Sequence, residues 1–510
     1  MMHGREKSDL AVGAEKLANK AAQAETEPVE QRAGAKGNAG QHSTRRAQNR
    51  EGVSQGLERI RQAARQRKEE KFTALLHHLD TDALREAYYA LKRDAAPGVD
   101  GLMWPDYEVG LEENLEDLHD RVHRGGPYHP LPARRHTIPK PDGRQRPLAI
   151  AALEDKIVQR AMQSILNAIY EEDFLGFSYG FRPGRSQHDA LDALSVGIIT
   201  RKVNWIVDAD ISSFFDSVNQ QWLIRFLEHR IGDTRVIRLI QKWLTAGVLE
   251  NGVVSVSDKG TAQGAVISPL LANIYLHYVI DLWAVHWRRH EAKGDMIIVR
   301  YADDIVAGFE HEADARRHLD AMRERLEAFS LSLHPDKTRI IRFGRFAAKQ
   351  RKERGLGKPD TFNFLGFTFI CGHKRQGGFL LKRKTRRDRM RAKLKEIKEA
   401  LRRRMHESIP DVGKWLGQVV RGYFNYHAVP TNGHALGAFR RQVGRLWYRA
   451  LRRRGNKHGT SWAHHVKLAK EYLPTARIRH PWPEQRFAVK YPRWEPYARK
   501  THVRFCAGGA

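Results

Sequence analysis

Two apolar runs that end in acids constrain this chain more than any other feature. Met296–Phe309 reads Met-Ile-Ile-Val-Arg-Tyr-Ala-Asp-Asp-Ile-Val-Ala-Gly-Phe. Its β-forming halves flank Tyr301-Ala302-Asp303-Asp304, a pattern that predicts a tight hairpin with adjacent carboxylates at the tip. Trp205-Ile206-Val207-Asp208-Ala209-Asp210 is a second apolar strand running straight into acids, followed by Phe214, Phe215 and Asp216. Aspartates are common in solvated turns and at exposed strand edges, and that reading accounts for either segment alone. Together the two allow another: an acid at the end of one strand and an acidic hairpin can converge on a divalent cation. Mg²⁺ takes hard oxygen ligands, usually one or two carboxylates plus substrate phosphates. Two such ions can clamp the attacking and leaving oxygens of a phosphoryl transfer.

Those acids sit in a basic chain. The 510 residues carry 89 Lys and Arg against 59 Asp and Glu, a formal net charge of +30. A surface so charged repels itself unless a polyanion is nearby, which points to nucleic acid or an anionic membrane. No uninterrupted apolar run approaches ~18 residues, so no transmembrane helix is expected. The N-terminus lacks the apolar core of a secretory signal. The two cysteines, Cys371 and Cys506, make neither a disulfide framework nor a zinc ribbon. The membrane reading falls away, a reducing cytosol is the simplest compartment, and chemistry on nucleic acid is favoured.

Along the chain, residues 1–55 are rich in Ala, Gly, Gln and charge and lack aromatics, which predicts a disordered tail with nascent helix near Ala11–Ala24. Helical periodicity starts near Leu57 and stops at Ala96-Pro97-Gly98. Residues 127–150 predict a hairpin around Pro141-Asp142-Gly143. Further strands are predicted at Asn204–Val207, Met296–Arg300, Ile305–Phe309, Thr338–Phe343 and Phe362–Ile370. Helices are predicted at Gln187–Thr200, Gln220–Arg230, Arg235–Ala246, Pro269–Arg289 and Ala313–Phe329. Strands and helices without strict alternation imply an α+β domain. After Gly378 the chain reads as basic helix, and a second basic, aromatic-rich part runs from Arg440 to the end.

The motifs are also recognisable. Tyr301-Ala302-Asp303-Asp304 resembles the acidic box of reverse transcriptases, and Asp210 with Phe214-Phe215 resembles their first catalytic motif. Gly260-Thr261-Ala262-Gln263-Gly264 is similar to a third shared block, and Ile138–Leu148 to the fingers block. Ser178–Ser186 and Gly98-Val99-Asp100-Gly101 resemble blocks of the group II intron branch, and Phe364-Leu365-Gly366-Phe367 the last palm block. These seven blocks keep the family's order over roughly residues 95 to 370. Arg421–His427 is similar to the maturase region of that branch; an aromatic helix in a bundle is the plainer reading. The chain departs at Ala262, where Pro is common, and at Ala149, where Gly is common; both are changes of loop shape.

The resemblance implies a right-hand polymerase. Its parts would be a tail (1–55), an N-terminal extension with fingers (56–200) and a palm (201–372), followed by a helical thumb or maturase domain (373–455) and a basic DNA-binding C-terminal segment (456–510). Asp210, Asp303 and Asp304 become the catalytic, metal-binding carboxylates for two Mg²⁺ ions, with Mn²⁺ as a substitute; Asp208 competes for the first position. Lys140, Arg146, Phe215, Gln263 and Gly264 become nucleotide-binding residues, with Phe215 excluding a 2′-hydroxyl. Tyr301, Ala302, Leu365 and Gly366 would shape the pocket and support the primer, and Lys337 approaches the triphosphate or is a solvated loop lysine. Arg182, Arg185, Arg421, Tyr423 and Tyr426 are the expected RNA contacts. Trp447, Tyr448, Trp462, Trp482 and Trp494 would stack on bases or belong to a core. His464-His465 is expected on a helix surface, away from any metal, and with Cys506 alone no C-terminal His-Asn-His nuclease is expected. The implied partners are group II intron RNA, an RNA template with DNA primer, dNTPs and target DNA, in a bacterial-type cytosol or at the nucleoid; no pattern speaks to oligomeric state. The alternatives are a non-catalytic splicing maturase and a reverse transcriptase of a defence or diversity-generating system.

Overall fold

Strand formation follows the apolar runs closely. In the computed structural model, which describes residues 44–124, 128–139, 145–454 and 461–490, Ala133–Pro139 (β1) and Gln145–Ile150 (β2) form an antiparallel hairpin. Trp205–Asp210 (β3) follows, and Val248–Glu250 (β4) and Val253–Ser255 (β5) extend the first hairpin, with β4 parallel to β1. Met296–Tyr301 (β6), Asp304–Phe309 (β7) and Arg339–Arg342 (β8) join β3 in an antiparallel sheet of order β6-β7-β3-β8. Phe362–Phe364 (β9), Phe367–His373 (β10) and Phe379–Thr385 (β11) make a separate three-stranded meander. The predicted Pro-Asp-Gly turn, Lys140, Ala11–Ala24, Trp494 and Cys506 lie outside the described residues.

Helices close the sheet from behind. Gln187–Thr200 starts at a capping box in which Ser186 and Asp189 satisfy each other's backbone N–H, and it packs on β6. Glu312–Glu327 lies on β3 and β7. The helix predicted at Pro269–Arg289 is interrupted: Ser268–Leu276 passes through a π turn, His277–Asp281, into Leu282–His290. One core runs from Ile60 to Leu381 and takes in Val429 and Phe487, and a second joins Ile397, Leu416, Phe424, Phe439, Trp447 and Leu473.

Several expectations need correction. The helix Thr44–Gln66 crosses the boundary expected at residue 55, because Ile60 and Ala64 on it are buried. Phe362–Ile370 is two strands broken by a turn at Leu365-Gly366, both with positive φ (+44° and +77°). The basic helix expected from Leu380 is strand β11 as far as Thr385; helix begins at Arg387. Leu381, Arg383 and Thr385 alternate inward, and the charges between them mask the two-residue period.

The C-terminal segment is built into the fold over its described part. Trp462–Tyr472 packs against Ile409–His427, where Gly413 and Gly417 leave no room for a Cβ beside Tyr472. Arg440 donates to the carbonyls of Ala469, Leu473 and Pro474 at 2.9–3.2 Å, satisfying the end of that helix. Trp447 and His465 are buried there, so neither is a surface residue. The chain then returns: His480 stacks on His188 at 4.1 Å, and Pro483–Lys490 lies along Gln187–Thr200. Asp192 bridges Arg383 of β11 at 2.7 Å and Arg486 at 3.1 Å.

Removing one member of a buried ion cluster leaves the others uncompensated. Asp192→Ala is expected to destabilise the protein by about 3–5 kcal/mol in urea denaturation, and to open the return segment to proteolysis. An unchanged midpoint would show that the cluster does not hold the segment.

Candidate active site

Strand register brings the acids together. Residues directly opposite in an antiparallel pair project to one face. Asp210 of β3 is opposite Asp304 of β7, and Asp304 is also opposite Tyr301 of β6, so Ala302-Asp303 is the whole turn. Asp208 shares that face two residues back, opposite Arg339 of β8. Desolvation among the surrounding atoms, then the charges of Asp303, Asp210 and Asp208, push the Asp304 carboxyl up to about 7, although the residue is exposed at the hairpin tip. Burial, and then Asp210, raise Asp303 as well. Burial lifts Asp208 to about 6 against the pull of Arg339.

A set of carboxyls that resist ionising beside one another, all hard oxygen donors, fits a divalent cation. Among the described residues no three acidic, His or Cys side chains converge into a ready-made cage. A site completed by substrate phosphates has no need of one. Lys337 Nζ lies 2.6 Å from Asp210 Oδ2, so an ammonium supplies the countercharge here.

The turn is held from below by Arg300, which is 0% exposed. Its guanidinium donates to Asp281 at 2.6 and 2.7 Å, to Ser178 Oγ at 2.7 Å, and to Asn273 Oδ1 and the Ala302 carbonyl at 3.1 Å. Burial alone would raise the Asp281 carboxyl, but Arg300 and His277 outweigh it and hold it below the usual range. Phe177–Gly180 runs beside β6, with Arg300 N–H donating to Phe177 O and Tyr179 N–H to Arg300 O, both at 2.9 Å. Ala302 takes φ +55°, a conformation costing about 1–3 kcal/mol for a residue with a side chain. A Cβ on Gly180 would lie 2.3 Å from Ala302 N, so only glycine fits against the turn. Sequence reasoning missed this brace. Its signal was an arginine inside an apolar strand, which must find a partner if it is buried.

Other expected residues are distributed as follows. Arg146 is exposed on β2, and Lys140 lies outside the described residues. Phe215 is half-buried on the short helix Phe214–Ser217, whose loop neighbour Thr261 donates to Phe215 O at 2.8 Å. Gln263 O accepts from Ala149 N–H at 2.7 Å, and a Cβ on Gly264 would lie 2.6 Å from Ala149 O. The glycine there is required by the approach of β2. Tyr426 donates its hydroxyl to Leu365 O at 2.7 Å, and Arg386 N–H reaches Gly366 O at 3.1 Å, so the β9–β10 turn is fastened to the helical unit.

Two of the expected RNA contacts point inward. Arg182 is engaged with Glu171 and with the carbonyls of Leu175 and Ser178, its side chain 1% exposed. Tyr423 is buried and stacked on Phe439 at 3.6 Å. Arg185 lies half-buried over the Tyr179 ring, whereas Arg421 is exposed.

Comparison with known proteins agrees with this geometry. A reverse transcriptase (RNA-dependent DNA polymerase) family profile matches residues 138–369. Protein YkfC of Escherichia coli (strain K12) is 37% identical over 315 residues, 55% of this chain and 77% of that protein. The group II intron-encoded protein LtrA of Lactococcus lactis subsp. cremoris is 36% identical over 223 residues, 43% of this chain but only 37% of its own length. Nuclear intron maturase 2, mitochondrial, of Arabidopsis thaliana is 32% identical over 110 residues, 22% of this chain and 15% of that protein.

The carboxyl shifts fix a pH dependence. A carboxyl raised in the folded state contributes stability below its ordinary range and loses it as the pH rises through its folded value, about 7 for Asp304. In divalent-free buffer the urea midpoint should fall as the pH rises from about 4 to about 7, and Asp304→Asn should flatten that fall. A variant with the unaltered pH profile would contradict the assignment.

Proposed function

The chain belongs to the reverse transcriptases, in the branch encoded by group II introns, and we propose from that premise that it is an RNA-directed DNA polymerase that also binds intron RNA to assist splicing and mobility. The observation that supports this most is the opposition of Asp210 and Asp304 with Asp303 in the turn between β6 and β7. In this reading the sheet β6-β7-β3-β8 is the palm, the β1–β2 hairpin belongs to the fingers, and the helices after Arg387 are the thumb and maturase unit. Among the described residues no helix is long and apolar enough to cross a membrane. We assign the protein to the cytosol or nucleoid, where its substrates are.

Asp210, Asp303 and Asp304 would hold two Mg²⁺ ions, or Mn²⁺ in their place. When bound, the ions activate the primer 3′-hydroxyl and offset the charge of the triphosphate and departing pyrophosphate. Arg146 would hold the triphosphate from β2, and Lys140, outside the described residues, is assigned the same role. Gln263 and Gly264 line the nucleotide pocket, and the Phe215 ring excludes a 2′-hydroxyl. Tyr301 and Ala302 form the floor under the primer end, and Leu365-Gly366 supports the primer strand. Lys337, paired here with Asp210, would also be placed to approach the triphosphate. Arg185, Arg421 and Tyr426 remain as RNA contacts, while Arg182 and Tyr423 act by holding the elements that carry them. The name of the Lactococcus relative ties that protein to a group II intron, and the name of the Arabidopsis relative to intron maturation. Intron RNA, a primed RNA template, dNTPs and target DNA are the corresponding partners here.

Primer extension on an RNA template with Mg²⁺ and dNTPs tests the reading. The Asp303→Ala/Asp304→Ala protein should lose synthesis by at least about a hundredfold while still binding RNA, since its basic surfaces are intact. Undiminished synthesis would show that these acids are not the metal site.

A further inference from the structure

The proposed metal site accounts for three of the four acids on the cleft floor; Asp208 has no place in it. Asp208 faces the same side of β3 as Asp210, about 7 Å away along the strand. Its partner Arg339 approaches at 3.4 Å through Nη2 and 3.5 Å through Nε, long for a charged pair, and also donates to Thr361 O at 3.3 Å. Among the described residues Arg339 Nη1 makes no hydrogen bond, and the side chain is 47% exposed. A half-exposed ion pair of this geometry contributes little to stability, so folding alone gives no reason for it.

The cleft itself supplies a reason. Four aspartates there repel the polyanionic strand whose 3′ end must reach Asp210 and Asp304. Arg339 lies between those acids and the strand leading into the Leu365-Gly366 turn, beside Thr361. Arg386 lies nearby: its N–H donates to Gly366 O, its guanidinium is paired with Asp388 at 2.6 and 3.1 Å, and its charge reaches Asp208. A guanidinium anchored at one edge and open at the other matches a phosphate.

We propose that Arg339, oriented by Asp208 and seconded by Arg386, is a phosphate clamp for the primer strand just behind its 3′ end. The clamp rests on the active-site reading above and adds a primer-binding residue pair to it. Asp208 is a positioning residue: it aims Arg339 and takes no part in the chemistry.

Binding of a DNA primer–RNA template, followed by fluorescence anisotropy across a KCl series, together with steady-state extension, tests this. Arg339→Gln should weaken primer–template binding roughly tenfold. It should also reduce the slope of log K against log salt by about one, and raise the KM for primer–template rather than for dNTP. If Arg339 served only to neutralise Asp208, the Asp208→Asn/Arg339→Gln protein would regain the original affinity. That recovery, or an unaltered salt slope in Arg339→Gln, would overturn the clamp, whereas persistence of the defect in the double variant supports it. Failure of the unsubstituted protein to extend any primer would instead remove the active-site reading, and the clamp with it.

Discussion

The turn between β6 and β7 is braced by one buried ion pair. Arg300 and Asp281 are both fully enclosed, and their mutual bonds leave the guanidinium enough donors to reach Ser178, Asn273 and the Ala302 carbonyl. Each of these comes from a different element: the π turn, the helix before it, the loop Phe177–Gly180 and the hairpin itself. A guanidinium is suited to this because it presents five N–H groups in a fixed plane. The pair therefore does more than stabilise. It joins the loop at Ser178, the helix and π turn from Asn273 to Asp281, and the hairpin, at the base of a turn whose Ala302 is held in a left-handed conformation.

Charge is arranged at two levels. The chain is broadly basic, as suits a protein that handles a polyanion, while the β6–β7 turn concentrates like charges whose carboxyls are raised above their ordinary range. Inside, the arginines have been given fixed tasks: Arg182 with Glu171, Arg230 with Asp173, Arg383 with Asp192. Counting Lys and Arg thus overstates the area available for nucleic acid, and residue type alone does not say which cations face outward.

Legibility in the sequence followed the same division. The acidic strands and the helix Gln187–Thr200 were readable, because apolar period is local; the opposition of Asp210 to the hairpin joins distant segments, and only motif resemblance favoured Asp210 over Asp208. Strand β11 was not, because its inward residues are Leu381, Arg383 and Thr385, and a buried arginine erases the alternation. The β9–β10 turn hid inside a Phe-rich run, where Leu365 adopts positive φ beside Gly366. The partners of Arg300 and the return of Arg486 to Asp192 are contacts between distant segments, for which no local pattern exists. Motif resemblance named Arg182 and Tyr423 but carried no information on which way they point.

The central claim is that the Arg300 brace, and not merely the presence of the acids, makes the site competent. Replacing both partners at once, Arg300→Met with Asp281→Leu, removes the brace without stranding a buried charge, an exchange that is often neutral for stability. The decisive measurement is single-nucleotide incorporation on a primed RNA template by this double variant, with its denaturation midpoint recorded on the same preparation. A turn displaced by about 1 Å predicts a loss near a hundredfold in rate with cooperative unfolding retained. Incorporation at the unsubstituted rate by a folded double variant would show that the hairpin positions its acids unaided and would contradict the account.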